Sequence, residues 1–118
     1  MQGGAMKKIS LDQVKPYAAA GHFDMTALRL SGKDETGAKK FWVGLSYFLP
    51  GGGAKYAYED SPTEKVYVVL DGELTVKTKK EELTLGPMEL LFLGPNEGRE
   101  IVNQANKPVT MLVAVSYE

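Results

Sequence analysis

The chain has 118 residues, with 14 basic and 15 acidic side chains for a formal net charge of −1, and it contains no cysteine. This length suits a single domain, and folding at this size hides roughly two thirds of the surface of the unfolded chain. The balanced charge argues against a nucleic-acid partner, and the lack of cysteine excludes disulfides and thiolate chemistry, so a cytoplasmic location is expected.

The N-terminal end predicts a short leader followed by one domain. Met6 and the two lysines after it resemble a natural start, so residues 1–5 are expected to be an added leader and residues 6–118 a single domain. No apolar run approaches the roughly 20 residues that cross a bilayer. We therefore expect no membrane partner.

The predicted elements begin with one helical turn and continue as β-strands. Ser10 and Gln13 have the spacing of a capping box, and Pro16 limits the helix that they begin. Short β-rich runs follow, punctuated by glycine, proline and charged turns. These runs predict about nine strands: 23–30, 41–49, 54–58, 65–70, 73–79, 82–85, 89–93, 99–104 and 108–117.

Turn residues indicate how the strands connect. Asp71 and Gly72 stand between two strand-like runs, and Asp-Gly readily supplies the positive φ angles of a two-residue hairpin turn. The glycines at 51–53 predict a turn rather than a phosphate cradle, because no Gly-Lys-Ser/Thr follows them. Many short strands without a long amphipathic helix predict an all-β sandwich, jelly roll or barrel.

The segment 50–76 resembles the first motif of the cupin family. In that family a glycine, a His-x-His pair, a glutamate and a second glycine bring three metal ligands into the mouth of the barrel. The corresponding positions here are Gly52, Tyr58, Asp60, Lys65 and Gly72, with five, one, four and six residues between them. The resemblance implies a single cupin-type double-stranded β-helix, a jelly-roll barrel with its core at about residues 41–116.

The segment 86–103 is similar to the second cupin motif. It contains a glycine, an apolar strand, a proline-containing turn and a final asparagine, Asn103. Counting back from that asparagine places Arg99 at the position of the fourth ligand, which is a histidine in the family. Pro87 stands where the family has an acidic residue after the glycine.

These departures predict that the usual metal site is absent. A divalent transition metal prefers imidazole nitrogen or carboxylate oxygen. The four aligned positions instead offer a phenol, one carboxylate, an ammonium and a guanidinium, in Tyr58, Asp60, Lys65 and Arg99. Because two of these groups are cations, we expect no metal and no other cofactor.

Strand alternation predicts which side chains face the barrel interior. If Tyr58 and Asp60 point inward as the family's histidines do, then Lys65 and Tyr67 share that interior. Two interpretations stay open for this polar wall: a ligand pocket, or an internal pairing of Asp60 with a cation. The candidate ligand-binding residues are Tyr56, Tyr58, Asp60, Lys65, Tyr67, Glu97 and Arg99.

The roles of two other candidate residues, His22 and Glu64, depend on where their side chains point, which strand alternation alone does not decide. His22 is the only histidine, and it contributes to catalysis only if the N-terminal segment folds over the barrel mouth. Glu64 stands one residue before the aligned glutamate position and faces inward only through a bulge. An atypical metal set of His22, Asp60, Glu64 and Glu97 therefore remains an alternative.

Three functions are consistent with these residues. The first is metal-independent binding of a small anionic or sugar-like molecule in the barrel, as in a sensor or carrier. The second is a metal-independent isomerase, epimerase or lyase, although no histidine occupies the aligned lumen positions. The third is a metal-dependent enzyme with an atypical ligand set. The catalytic residues of either enzyme are not identified by the sequence.

The strand at 65–70 also predicts a homodimer. Val66, Val68 and Leu70 lie on the face opposite Lys65 and Tyr67, so the strand is apolar on its outer side. An apolar outer face requires a cover, from a second copy or from the N-terminal segment of the same chain.

Overall fold

The computed structural model describes residues 5–118 as a nearly closed barrel of antiparallel strands. Its helical content is one 3₁₀ turn at Leu11–Gln13, where the backbone N–H of Ser10 donates to Gln13 Oε1 at 3.3 Å. This confirms the predicted all-β class with a short N-terminal turn. Residues 1–4 of the predicted leader lie outside the described residues. No helix among residues 5–118 is long and apolar enough to span a membrane.

Eight strands form the barrel. They are β1 (His22–Ser31), β2 (Phe41–Ala57), β3 (Lys65–Asp71), β4 (Leu74–Lys77), β5 (Glu82–Leu85), β6 (Glu89–Leu93), β7 (Arg99–Val102) and β8 (Val109–Ser116). Their order is β5-β4-β7-β2-β8-β3-β6, with β1 paired to β2. We call β1, the first half of β2, β8, β3 and β6 the large wall, and β5, β4, β7 and the second half of β2 the small wall.

Strand β2 joins the two walls and corrects the prediction of two strands separated by a glycine turn. Residues 41–48 pair with β8, whereas Gly53 and Ala54 pair with β7. Hydrogen bonds continue through the bend, because the N–H of Gly51 donates to the carbonyl of Asn103 and the N–H of Asn103 donates to the carbonyl of Gly52, both at 2.8 Å. The glycines bend one long strand instead of ending it.

Close backbone contacts explain why glycine is needed at this bend. A Cβ atom on Gly53 would collide with the carbonyl oxygen of Ile101, and one on Gly52 would collide with the carbonyl oxygen of Asp24. Gly51 has a φ of +83°, which side chains other than glycine rarely adopt. The glycine run therefore lets β2 approach two neighbours while it changes direction.

Asp71 and Gly72 form a turn, but the predicted hairpin around them is wrong. Strand β3 pairs with β6 and β8, and β4 pairs with β5 and β7. Gly72 uses its positive φ of +90° to carry the chain from the large wall to the small wall, close to Pro108 and Val109. The two-residue spacing is compatible with either connection, and tertiary pairing selects the crossover.

The core lies between the two walls and contains the inward-facing residues of both. Alternating burial on β8 places Val109, Met111, Val113 and Val115 inside. Phe48, Val69, Leu74 and Ile101 are among the most completely buried side chains. Asn103 is also buried, and its Nδ2 group donates to the carbonyls of Phe48 and Lys107 at 3.2 and 2.7 Å, which ties the bend of β2 to the end of β7.

The close approach at the bend predicts that Gly53→Ala destabilises the fold. We expect the free energy of unfolding to fall by about 1–3 kcal/mol, because the added methyl group displaces the backbone of β7. Gly94→Ala is the matched control, since its Cβ would meet only Phe92 at 3.6 Å, and we expect a change within about 0.5 kcal/mol. Urea denaturation measures both. Equal stabilities of the two variants would contradict this account of the bend.

Candidate functional site

A cavity of about 380 Å³ lies on the inner side of the large wall, at the end where β3 begins and β8 ends. Its floor is made by buried inward-facing residues: Ala27, Ser46, Tyr67, Met111 and Val113. Its polar and aromatic wall contains Tyr17, His22, Trp42, Glu59, Thr63, Lys65, Arg99 and Tyr117. The N-terminal segment reaches the cavity through Tyr17, whose N–H donates to the carbonyl of Ala27 at 3.0 Å.

Arg99 is the most buried charged side chain of this wall. It is 8% exposed at the start of β7, and its Nε donates to the Tyr67 hydroxyl of β3 at 2.9 Å. Tyr67 is itself only 3% exposed. This hydrogen bond spans the barrel from the small wall to the large wall and holds the guanidinium beside the cavity.

Lys65 brings a second positive charge to the same cavity. Burial lowers the pKa of Lys65 from its ordinary value, and the positive charge of Arg99 lowers it further, while Glu59 opposes the shift. Neither cation has an anionic partner close enough for a salt bridge within residues 5–118, where the salt bridge found is Lys77 with Glu82 at 3.8 Å. The cavity therefore has an excess of positive charge.

His22 faces this cavity from the start of β1. Its Nδ1 lies 2.9 Å from the carbonyl oxygen of Ala20 and carries the proton of that hydrogen bond, because a carbonyl oxygen only accepts. Burial lowers the pKa of His22, the bond to Ala20 opposes this effect, and Arg99 and Lys65 lower the pKa further. The neutral ring then offers Nε2 as a proton acceptor.

Arg29 helps to position the aromatic part of the cavity wall. Its guanidinium carbon lies 4.4 Å from the ring centre of Tyr17 and 4.9 Å from that of Trp42. Such cation–π contacts are worth about 0.5–2 kcal/mol each. The Nε of Arg29 is buried without a hydrogen-bond partner among the described residues, so packing between two rings is its main stabilising contact.

The structure brings only three of the predicted ligand-binding residues into the cavity, Lys65, Tyr67 and Arg99. Tyr56 and Tyr58 are 41% and 57% exposed and line a separate, more open surface pocket with Glu97. Asp60 and Glu64 are exposed and do not line the cavity.

The predicted inward orientation of Tyr58 and Asp60 is corrected by the end of β2 at Ala57. Residues 58–64 belong to no strand, so the inward and outward alternation of strand side chains does not hold there. Glu59, between the two predicted residues, is the carboxylate that lines the cavity. No sequence signal separates Glu59 from its neighbours, because its position depends on the path of an irregular loop.

The aromatic part of the wall was also not predicted. Trp42 and Tyr17 come from β2 and from the N-terminal segment, which are far apart in sequence and meet only in the folded barrel. His22 was identified as conditional on the N-terminal segment folding over the mouth, and Tyr17 and Ala19 of that segment do line the cavity.

The residues at the cupin metal position do not fit a metal ion. Two of the four aligned residues are cations, and the other two, Tyr58 and Asp60, lie outside the cavity. Within residues 5–118, no three histidine, aspartate or glutamate side chains are grouped closely enough to hold a metal. The atypical set of His22, Asp60, Glu64 and Glu97 is therefore not assembled.

The environment of His22 predicts a pH-dependent stability. Its pKa is lower in the folded state, so the unfolded chain binds more protons below about pH 6.5, and stability falls as the pH falls through this window. His22→Gln removes this contribution of His22 to the pH dependence of stability. We expect the parent to lose stability relative to the variant between about pH 7 and about pH 5 in paired thermal unfolding.

Carboxylate titrations cancel in this comparison, because both proteins contain the same acidic residues and His22 is the only histidine. A stability difference between the parent and His22→Gln that does not change with pH would contradict the proposed environment of the imidazole.

Comparison with known sequences gives one curated relative of similar length. No protein-family model matches the sequence. The β-D-galactosidase Rv1717 of Mycobacterium tuberculosis is 39% identical over 114 residues, which cover 95% of this chain and 95% of that protein.

Solved structures share the architecture at lower sequence identity. The polyketide cyclase RemF of Streptomyces resistomycificus has a TM-score of 0.83 at 21% identity, covering 97% of this chain and 81% of that one. A sugar phosphate isomerase from Silicibacter pomeroyi has a TM-score of 0.77 at 22% identity, covering 95% and 76%. An RmlC-like cupin from Shewanella frigidimarina has a TM-score of 0.71 at 15% identity, covering 96% and 93%. These neighbours confirm the predicted jelly-roll barrel.

Proposed function

This chain belongs to the cupin superfamily, and from that premise we propose that its cavity binds a small sugar that carries an anionic group, such as a galactose-derived acid. The observation that carries the proposal is that Lys65 and Arg99 line one cavity without a salt bridge among the described residues. Two cations in a partly buried site repel each other and lose hydration. A bound carboxylate offsets both costs.

Arg99 and Lys65 can contact such a ligand in different ways. The Nε of Arg99 is used by Tyr67, which leaves the terminal guanidinium N–H groups for a carboxylate, and the planar fork favours a two-point contact. Lys65 supplies a point charge from the opposite wall of the barrel. Glu59 raises the pKa of Lys65 without forming a salt bridge, so it leaves the ammonium available.

The remaining wall is suited to a hydroxylated ring. The volume of about 380 Å³ lies in the range of small-molecule sites. Ser46 contributes a hydroxyl group, and Trp42 contributes an apolar aromatic surface for the C–H groups of a sugar. Thr63 and Tyr117 also line the cavity, and their hydroxyl oxygens accept hydrogen bonds from the Ser61 hydroxyl and the Lys33 N–H, which leaves their own O–H groups to donate. The relative named as a β-D-galactosidase supports galactose as the sugar class.

A second candidate function is hydrolysis of a β-galactoside, and the name of that relative is the observation that favours it. Hydrolysis breaks the bond between the anomeric carbon and the glycosidic oxygen, adds the hydroxyl of water to that carbon and delivers a proton to the leaving oxygen. Glycosidases usually use two carboxylates for these steps. Glu59 is the carboxylate that lines this cavity, so a neutral His22 is the candidate for the second proton-transfer group.

The binding proposal predicts that a carboxylated galactose binds more tightly than galactose itself. Titration calorimetry with galacturonate and galactose measures the difference. We expect Lys65→Met to weaken galacturonate binding by about 1.5–3 kcal/mol, the cost of losing one charged contact, with little effect on galactose. Arg99→Lys keeps the charge but loses the planar fork, so it should also weaken the acid selectively.

Lys79→Met is the matched control, because Lys79 is exposed and lies outside the cavity, over the ring of Tyr56. Equal affinities of the parent for the two sugars, or full galacturonate binding by both cavity variants, would show that the positive charges do not serve an anionic ligand.

The hydrolysis candidate predicts turnover of a chromogenic β-galactoside by the parent protein. Glu59→Gln and His22→Gln should each lower the rate by roughly a hundredfold, the usual scale of a lost general acid or base. Glu97→Gln is the control, since Glu97 is an exposed carboxylate outside the cavity. Absence of turnover in the parent, together with galacturonate binding, leaves the cavity a binding site only.

A further inference from the structure

A narrow neck lies between the cavity and the separate surface pocket, which we call the outer pocket. Glu59, Thr63 and Lys65 line both the cavity and the neck. Asn96 lines both the neck and the outer pocket. Because these spaces share lining residues, the cavity, the neck and the outer pocket lie in series and form one groove that runs from the inside of the barrel to its surface.

The sizes of the three spaces suit a chain of sugars. The cavity and the outer pocket have volumes of about 380 and about 490 Å³, so each has room for a sugar ring. The neck has a volume of about 10 Å³, close to the space that one water molecule needs. A group as small as a glycosidic oxygen fits there, whereas a ring does not. The groove thus has two places for rings and a neck for the linkage between them.

We propose that this groove binds an oligosaccharide, with an acidic sugar in the cavity and the next sugar stacked on Tyr58 in the outer pocket. The inference rests on the proposed function, because the cavity supplies the sugar class and the contact to the carboxylate. It goes beyond that function by assigning a second sugar site, with its own contact residue, outside the cavity. The cavity alone would accept a monosaccharide.

Tyr58 offers the open aromatic face of the outer pocket. Tyr58 is 57% exposed, whereas Tyr56 is 41% exposed and its ring already has contacts. The Nζ of Lys79 lies 5.4 Å from the ring centre of Tyr56, and the Tyr56 hydroxyl packs so closely against Gly98 that a Cβ atom there would collide with it. Stacking of a sugar on an aromatic ring hides the apolar C–H face of the sugar from water. Tyr58 therefore has the ring that is left for a ligand.

Asn96 supplies a polar contact between the two ring sites. Its Oδ1 accepts a hydrogen bond from the N–H of Ser61 at 2.9 Å, which uses the oxygen and leaves the Nδ2 hydrogens to donate to a sugar hydroxyl. The same bond joins the loop at 58–64, which carries Tyr58, to the loop at 94–98. It fixes the shape of the neck, so less ordering is needed when a ligand binds.

The charges of the outer pocket do not restrict the second sugar to an acid. Lys80 and Glu97 bring opposite charges to this pocket, and Lys79 is packed over the ring of Tyr56. The excess positive charge of the groove lies in the cavity, at Lys65 and Arg99. An acidic sugar is therefore selected in the cavity, whereas stacking selects the ring in the outer pocket.

The position of Glu59 connects this ligand to the hydrolysis candidate. Glu59 lines the neck as well as the cavity. A glycosidic linkage in the neck therefore lies beside a carboxylate, which is where hydrolysis requires a proton-transfer group. An oligosaccharide in this groove is consistent with both candidate functions.

Titration calorimetry of the full chain with galacturonate and digalacturonate tests the second sugar site. We expect the parent to bind digalacturonate about tenfold more tightly than galacturonate, the scale of one aromatic stacking contact. Tyr58→Ala should remove this gain, so that the two ligands bind that variant with equal affinity. Tyr58→Phe keeps the ring and should keep the gain.

Phe41→Ala is the matched control, since Phe41 is also an exposed aromatic side chain, at 52%, and lines neither the cavity nor the outer pocket. It should keep the gain. A parent that binds galacturonate but binds digalacturonate no more tightly, or a gain that persists in Tyr58→Ala, would overturn the inference and leave the cavity proposal in place. A parent that binds neither ligand would contradict the proposed function and, with it, the second sugar site.

Discussion

The hydrogen bond between Arg99 Nε and the Tyr67 hydroxyl is the interaction on which the candidate site depends. It joins β7 of the small wall to β3 of the large wall and gives a buried guanidinium a fixed direction. Without this partner, the charge of Arg99 would be desolvated with little compensation. The position of Arg99 in turn affects its neighbours, because its charge lowers the pKa of both Lys65 and His22.

The grouping of ionisable side chains in this cavity lowers stability. Two cations and a partly buried imidazole share one cavity, where burial and mutual repulsion both disfavour the charged forms. An apolar core of the same volume would be more stable, as often holds when polar groups are buried for function. Ionisable groups whose pKa values are shifted by burial and by neighbouring charges occur often in binding and catalytic sites. Lys65 and Arg99, which stand at positions that resemble the ligand positions of the cupin family, therefore make one side of this cavity positive.

The large wall has two faces of different character, and the two-residue period of its strands produces both. On β3, Lys65, Tyr67 and Val69 point toward the cavity and core, whereas Val66 and Val68 point outward. The same alternation on β8 separates the buried Met111 and Val113 from the outward Leu112 and Ala114. The cavity and the apolar outer surface of the large wall are consequently two sides of one sheet.

The sequence by itself determined the all-β class, because strand periodicity is a local property, and its motif spacing carried the cupin resemblance, which implied that the aligned positions lack the usual metal ligands. Lys65 and Tyr67 do line the cavity, although the alternation used to predict this ran through Tyr58 and Asp60, which lie outside it. Only the tertiary structure decided that β2 continues through Gly51–Gly53, that Asp71 and Gly72 connect two walls rather than a hairpin, and that Glu59 and Trp42 line the cavity. The reason is physical: strand pairing and loop paths are set by contacts between distant segments, and a bend or turn has the same local sequence whichever partners it serves.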